Sequence, residues 1–178
     1  MSADDIGGHG LDEEALTTRL YENLAAKKGV VIEGPAFSVS SDQVHEFGRV
    51  TWLDKAYPNA MPDFPDTIVE GFLLLSLVDA VHRINNPADH SMMWALNYGL
   101  DRVRFVTPVH VGDLLKPMFE ILAVEKKAPG VKTLRRCSFT HEATGELAMV
   151  ANWWGFAIPR GVHPRTLQNR GPVTPRTY

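Results

Sequence analysis

The spacing of apolar residues predicts mostly helices in the first half of the chain. Over residues 11–28, leucines recur on one helical face, acidic residues come early and lysines late, which predicts an amphipathic helix. Ser40 and Gln43 have the spacing of a capping box, which predicts a second helix over roughly 41–49. The segment 67–84 is apolar nearly all round for three turns, as a helix can be only when protein surrounds it. We therefore expect a long central helix there.

Runs typical of strands dominate from residue 92 onward. They lie at 92–106, 113–127, 131–141 and 146–158, and turn residues separate them. The last two links are short enough for hairpins. A helix followed by a meander of strands is an α+β order, in which an antiparallel sheet wraps the central helix.

The length and composition are those of one globular domain. The chain has 178 residues, of which 44% are hydrophobic and 22% charged, enough for a single core. We expect an N-terminal helical extension at 1–35, a main domain at 36–158 and a C-terminal tail at 159–178. The tail carries four arginines and no acidic residue, and we expect it to be an extended arm.

The charge and the cysteine count bear on partners and location. A net charge of −3 gives no basic field for nucleic acid or an anionic membrane, and the most apolar run is too short to span a bilayer. One cysteine, Cys137, cannot form an internal disulfide, and the start of the chain does not resemble a signal peptide. We expect a cytoplasmic protein. The seven histidines show no metal-ligand spacing, so we expect no metal.

Several segments, in order along the chain, resemble one family. They are QVHEFGRVT at 43–51, TIVEGFLLLSL at 67–77, NYGLDRVRFVTPVHVGD at 97–113 and VANWW at 150–154. Over about residues 36–158 they resemble the MaoC-like hydratases, particularly the nodulation protein N-like branch. The resemblance implies a hot-dog fold that acts on an acyl thioester such as acyl-CoA and needs no other cofactor. It also implies at least a dimer, of identical or different chains, because hot-dog domains pair their sheets edge to edge.

The resemblance also implies where the chemistry lies. The family's Asp, which holds the attacking water on a loop over the site, matches Asp54. The His that follows it by five positions is replaced here by Asn59, and the His that tends to precede the helix glycine is replaced by Glu70. Asp54 lies in a proline-rich loop, where an Asp can also be a simple turn residue. Asn59 can supply an amide hydrogen bond but cannot shuttle a proton at neutral pH.

The start of the central helix offers the remaining candidates. The Gly71 N–H, with the helix dipole behind it, can polarise a thioester carbonyl, and Phe72 beside it is a candidate substrate contact. The glycine is equally explained by a close contact between helix and sheet. Glu70 can act as a base, or it can complete a capping box with Thr67 and do no chemistry.

Three functions stay open at this point. The first is a hydratase or dehydratase that adds or removes water at an enoyl or 3-hydroxyacyl thioester. In it, Asp54 and Glu70 are the acid/base groups, the Gly71 N–H is the oxyanion donor and Asn59 positions the water. The absent His motivates a second function, a non-catalytic acyl-CoA-binding subunit of a heteromeric hydratase. The third is an acyl-CoA thioesterase, in which Asp54 or Glu70 activates water.

Overall fold

Four helices and five strands make up the described part of the chain. The structure is a computed structural model that describes residues 12–56, 67–86, 93–160 and 162. The helices are α1 (Glu13–Ala25), α2 (Ser41–Val50), α3 (Leu53–Ala56) and α4 (Gly71–Asn85). The strands are β1 (Val31–Glu33), β2 (Met93–Phe105), β3 (Leu115–Lys127), β4 (Gly130–His141) and β5 (Leu147–Pro159). The tail beyond residue 160, Val162 excepted, lies outside the described residues.

The strands form one antiparallel sheet in the order β1-β3-β4-β5-β2. β3, β4 and β5 follow one another through short turns, as the two predicted hairpins require. β2 precedes them in sequence but pairs with β5, so it forms one edge of the sheet. With α4 lying against this sheet, the α+β prediction of a helix wrapped by an antiparallel sheet is confirmed.

The capping box predicted for the second helix is present. The Gln43 N–H donates to Ser40 Oγ at 3.3 Å, and the Ser40 N–H donates to Gln43 Oε1 at 2.9 Å. Two N–H groups that the helix leaves without partners are thereby satisfied. α2 therefore begins where its sequence predicts.

The central helix begins four residues later than predicted. Residues 67–69 are extended rather than helical, because they pair with residues 109–111. The Val69 N–H donates to the Val109 carbonyl at 2.8 Å, and the Val111 N–H donates to the Thr67 carbonyl at 2.7 Å. This tertiary pairing overrides the local helical pattern and makes Gly71 the first residue of α4.

The main core lies between α4 and the sheet. The buried apolar residues of α4 are Leu73, Leu74 and Val78, and Leu74 and Val78 lie four residues apart on the same helical face. They belong to one cluster with side chains of the middle strands, among them Leu115, Phe119, Cys137, Phe139, Met149 and Trp153. Each fully buried Leu or Phe stabilises the fold by about 1.5–3 kcal/mol, so this interface fixes α4 on the sheet.

α1 packs on the same face of the sheet as α4. Its buried Leu20 and Leu24 cluster with Val131 and Ala157. Val131 alternates in phase with Cys137 along β4, and side chains two apart on a strand share a face. α1 therefore covers the end of the sheet beyond α4. No helix in the described ranges is long and apolar enough to cross a membrane.

Cys137 provides a test of this core. Its side chain is buried, and that burial raises the pKa of the thiol from an ordinary 9.0 to about 12. Three pKa units lower the thiolate fraction near pH 8 about a thousandfold, before any effect of access. We expect a disulfide reagent such as DTNB to label the native chain far more slowly than the urea-unfolded chain. Equal labelling rates would contradict the packing of β4.

The same shift sets a pH dependence. Above about pH 9 the unfolded chain loses the Cys137 proton while the native chain keeps it, so the thiol contribution to stability falls as pH rises from 9.0 toward 12. A Cys137→Ala variant lacks this contribution. Its free energy of unfolding should therefore decline less steeply than that of wild type over that window.

Candidate functional site

The first turn of α4 presents backbone N–H groups that the helix does not use. The Leu73 and Leu74 N–H groups both donate to the Glu70 carbonyl, at 2.9 and 3.2 Å. The N–H groups of Gly71 and Phe72 come earlier and have no acceptor within the helix. They lie at the positive end of the helix dipole, where they can receive an oxygen atom that is gaining negative charge.

Glu70 does not form the capping box that its sequence allows. It occupies the N-cap position itself, and its side chain makes no capping hydrogen bond. Thr67, the other member of the expected box, lies instead with its Oγ1 3.0 Å from His110 Nδ1. The capping interpretation is therefore wrong, because the pairing of residues 67–69 with 109–111 holds Thr67 outside the helix.

One oxygen of the Glu70 carboxylate is buried and has no hydrogen-bond partner among the residues that the structure describes. Oε2 is the atom concerned. A buried polar oxygen left without a donor costs free energy that most folds avoid. Structural capping does not account for this carboxylate, so it is the strongest candidate for chemistry at the start of α4.

Gly71 makes the close contact between helix and sheet that its sequence left as an alternative. A Cβ added at Gly71 would lie 2.8 Å from ring atoms of Phe105 on β2, closer than packing allows. The ring of Phe72 meets Phe105 edge to face, with centroids 6.2 Å apart. Phe72 is 71% exposed, so it is available to a ligand or a partner. Its role as a substrate contact, like the oxyanion role of the Gly71 N–H, stays a prediction.

A groove of about 440 Å³ runs from this helix start between α4 and β2. Its walls include Phe72, Leu75, Ser76, Asn97, Leu100 and Trp153. The Trp153 indole N–H donates to Asn97 Oδ1 at 3.0 Å, which holds one wall in place. The space is open and partly apolar, and a chain-like ligand can lie along it.

Asp54 belongs to a different element from these residues. It is exposed on the short helix α3, where, after Glu46, it contributes to the raised pKa of Arg49. Among the residues that the structure describes, no hydrogen bond or ion pair joins Asp54 to Glu70. Asn59 lies outside the described residues. The structure thus brings Glu70, Gly71 and Phe72 together, and the roles of Asp54 and Asn59 stay predictions.

The sequence analysis gave no role to two buried polar residues of β4, Thr133 and Arg135, which lie near the C-terminal half of α4. Thr133 and Arg135 on β4 are buried, with 1% and 9% of their surface exposed, and they line a cavity of about 230 Å³. His82 of α4 lines the same cavity. The signal for the strand residues was their alternation with Cys137, which places both on the inner face of β4.

Thr107, His141 and Asp113 resemble a catalytic triad in outline only. Thr107 Oγ1 lies 3.1 Å from His141 Nε2, and His141 Nδ1 lies 3.7 Å from Asp113 Oδ2. However, the Thr107 hydroxyl donates its proton to the Leu147 carbonyl at 3.0 Å. It is therefore held as a structural link between the turn and β5. In the described ranges, no three metal-ligating side chains come together to hold a metal ion.

Sequence comparison identifies relatives that match most of the chain. Nodulation protein N of Rhizobium leguminosarum bv. viciae is 26% identical over 151 residues, which cover 82% of this chain and 90% of that protein. Nodulation protein N of Rhizobium meliloti is 24% identical and covers 84% of this chain and 92% of its own length. No protein-family model matches the chain.

Solved structures share its fold. A MaoC-like dehydratase from Rhodospirillum rubrum has a TM-score of 0.57 at 10% identity, covering 75% of this chain and 93% of its own. The (R)-hydratase of A. caviae, involved in PHA biosynthesis, has a TM-score of 0.53 at 20% identity, covering 72% and 94%. The fluoroacetyl-CoA thioesterase FlK has a TM-score of 0.54 at 14% identity, covering 82% and 97%. At these identities the likeness shows the fold alone.

A long helix laid across this antiparallel sheet defines a hot-dog protein. Within that fold, the chain is similar in sequence to nodulation protein N and in structure to a MaoC-like dehydratase and an (R)-hydratase, and these likenesses support a MaoC-like hot-dog family.

The contact between Gly71 and Phe105 predicts that substitutions at the two positions are coupled. Gly71→Ala adds a methyl group that the Phe105 ring must move to admit, whereas in a Phe105→Ala background the same methyl group has room. We expect Gly71→Ala to be about 1 kcal/mol more favourable in that background, as measured by urea unfolding of the two single variants and the double variant.

Gly48→Ala is the matched control. Gly48 lies within α2, and an added Cβ there meets no atom within 4 Å. Its effect should be the same with or without Phe105, and stabilising by up to about 1 kcal/mol. Additive behaviour of Gly71→Ala and Phe105→Ala would contradict the contact.

Proposed function

We propose that the protein is an acyl-thioester hydratase or dehydratase, adding or removing water at an enoyl or 3-hydroxyacyl thioester such as an acyl-CoA. The observation that carries the proposal is the buried Glu70 oxygen, which has no partner in the described part of the chain, beside the N–H groups of the α4 start that the helix does not use. A carboxylate next to an oxyanion-binding helix end combines the two elements that this reaction requires.

In the proposed reaction the thioester carbonyl accepts a hydrogen bond from the Gly71 N–H. As water adds to the β-carbon of the enoyl group, negative charge moves onto the carbonyl oxygen and is stabilised there by the helix end. Glu70 takes a proton from the water as its hydroxyl bonds to the β-carbon, and the protonated Glu70 then gives that proton to the α-carbon, which restores the carboxylate. The elements of water are thereby added across the double bond, and dehydration is the reverse.

The remaining site residues complete the proposal. Asp54 orients the water and Asn59 supplies an amide hydrogen bond to it, as the family resemblance implies. The groove between α4 and β2 takes the acyl chain, with Phe72 at its entrance. Its partly apolar walls support this placement.

The absorbance of the enoyl-thioester band tests the proposal. We expect the purified protein to remove that band from crotonyl-CoA or from a bulkier enoyl-CoA. Glu70→Gln keeps the shape of the side chain but removes the base, and should lower the rate at least about a hundredfold. Glu125→Gln, an exposed glutamate on β3, should leave the rate unchanged. Full activity of Glu70→Gln would contradict the assignment of Glu70 as the base.

The same assay separates the alternatives. Loss of turnover in Asp54→Ala would support its water-holding role, and intact turnover would remove Asp54 from the site. Release of free thiol without loss of the enoyl group would identify a thioesterase instead. Binding of acyl-CoA by calorimetry without any turnover would favour a non-catalytic subunit whose partner carries the chemistry.

We also propose that two copies of the chain associate through the edge strand β2. Large apolar side chains are exposed along that strand: Trp94, Leu96, Tyr98, Leu100 and Phe105. An exposed, apolar edge of 13 residues is a template for pairing with another strand. A second copy would also close the groove, which lies along β2.

Sedimentation velocity tests this association. Leu100→Lys places a charge on the edge and should shift the protein from dimer toward monomer, because a buried lysine at a paired edge is unfavourable. Leu114→Lys, at an equally exposed leucine outside β2, should leave the dimer intact. A wild-type monomer, or equal behaviour of the two variants, would refute pairing through β2.

A further inference from the structure

The edge strand β2 carries a bulge at Arg102. Its ladder with β5 shifts register between Asp101 and Arg104, where β2 has one residue more than β5. Arg102 has a φ of 52°, in the left-handed region, which is unfavourable for an arginine because its Cβ crowds the backbone. Bulges re-aim side chains and are frequent beside functional sites. The strain at Arg102 therefore calls for a ligand that this side chain binds.

The bulge carries two cations that have no anionic partner. Arg102 and Arg104 are both exposed. The Arg104 guanidinium donates to the Val103 carbonyl at 2.7 Å, and neither arginine forms an ion pair with a described residue. The neighbouring carboxylate, Asp101, accepts instead from the Trp154 indole N–H. The two guanidinium groups are thus left to solvent or to an anionic ligand, and each has five N–H donors.

These arginines lie close to the proposed thioester site. Phe105 directly follows Arg104, and its ring meets the start of α4, where a Cβ on Gly71 would lie 2.8 Å from it. Arg102 is three residues from Phe105, at most about 10 Å along the strand, and an extended arginine side chain adds about 6 Å. The Arg102 guanidinium can therefore lie up to about 16 Å from the helix start that receives the thioester carbonyl.

That distance fits the arm that carries an acyl thioester. In CoA and in acyl carrier proteins the sulfur belongs to a phosphopantetheine arm. About thirteen bonds separate its sulfur from its phosphorus, so at about 1.2 Å per bond the extended arm is about 16 Å long. The planar fork of an arginine matches a phosphate, because two parallel N–H groups can bind two of its oxygens.

We propose that Arg102 and Arg104 bind the phosphate of the phosphopantetheine arm. This inference rests on the thioester site proposed above and names the group by which its substrate is carried. The acyl chain then lies in the groove between α4 and β2, and the arm leaves it at the helix start. Four of the five apolar β2 residues proposed to pair with a second copy come before the bulge, so the arginines lie outside that run.

Titration calorimetry with two ligands tests the inference. The 2-oxopentyl thioethers of phosphopantetheine and of pantetheine carry the same ketone, which resists hydrolysis, and they differ only in the phosphate. We expect wild type to bind the phosphorylated ligand about tenfold more tightly or better, from charge-assisted hydrogen bonds. In the double variant Arg102→Gln/Arg104→Gln the two ligands should bind about equally.

Arg19→Gln/Arg136→Gln is the matched control. It removes the same two charges from exposed arginines on α1 and β4, outside the bulge. It should keep the wild-type preference, and an equal loss in both double variants would contradict the assignment.

Arg102→Gly is a second test variant, because glycine adopts a φ of 52° without strain. We expect it to fold at least as stably as wild type, which circular dichroism and urea unfolding check. It should nevertheless bind the two ligands with a smaller difference, since one of the two cations is lost.

A third ligand identifies the source of the phosphate. If the 2-oxopentyl thioether of CoA binds more tightly than that of phosphopantetheine, the inference is upheld with CoA as the carrier. Equal affinity upholds a contact with the arm phosphate alone, which a carrier protein shares.

The outcomes separate this inference from the proposed reaction. A preference for the phosphorylated ligand without any turnover of crotonyl-CoA would uphold the phosphate contact and contradict the hydratase proposal. Turnover of enoyl thioesters without such a preference would do the reverse. No binding of either ligand, or an unchanged preference in Arg102→Gln/Arg104→Gln, would overturn the inference.

Discussion

The burial of one face of α4 against the sheet is the interaction on which the rest of the structure depends. A helix of 15 residues is about 22 Å long, whereas a strand of 13 residues extends about 43 Å. α4 cannot cover the whole inner face of such a sheet. α1 covers the end beyond it, and the space between the two helices becomes the cavity that holds Arg135.

Packing against the sheet also determines the residue at which α4 begins. Pairing of residues 67–69 with 109–111 holds the chain extended up to Glu70. The helix can then start only at Gly71, where the missing side chain lets Phe105 of β2 approach. One tertiary contact thus exposes the backbone N–H groups of the first turn and leaves the Glu70 carboxylate outside the helical hydrogen bonding.

The periodicity of the sequence was enough to predict the four long strands, the α2 capping box and the central helix. It failed at Thr67, because the local capping pattern competes with pairing to His110 and Val111, 43 and 44 positions along the chain, which no local rule contains. It also did not single out Arg135, although this arginine alternates with Cys137 along β4 and therefore lies on the inner face. A charge at a core position of a strand was the available signal. The position of Asp54 depends on how α3 meets the rest of the chain, which periodicity does not specify.

One polar group stands out against an apolar interior at the start of α4. Glu70 has a carboxylate oxygen that is buried and accepts no hydrogen bond from the residues that the structure describes. An apolar side chain of similar size would cost less free energy at this position. Keeping the carboxylate departs from the packing that stability favours, and this departure is the physical reason to propose chemistry at the start of α4.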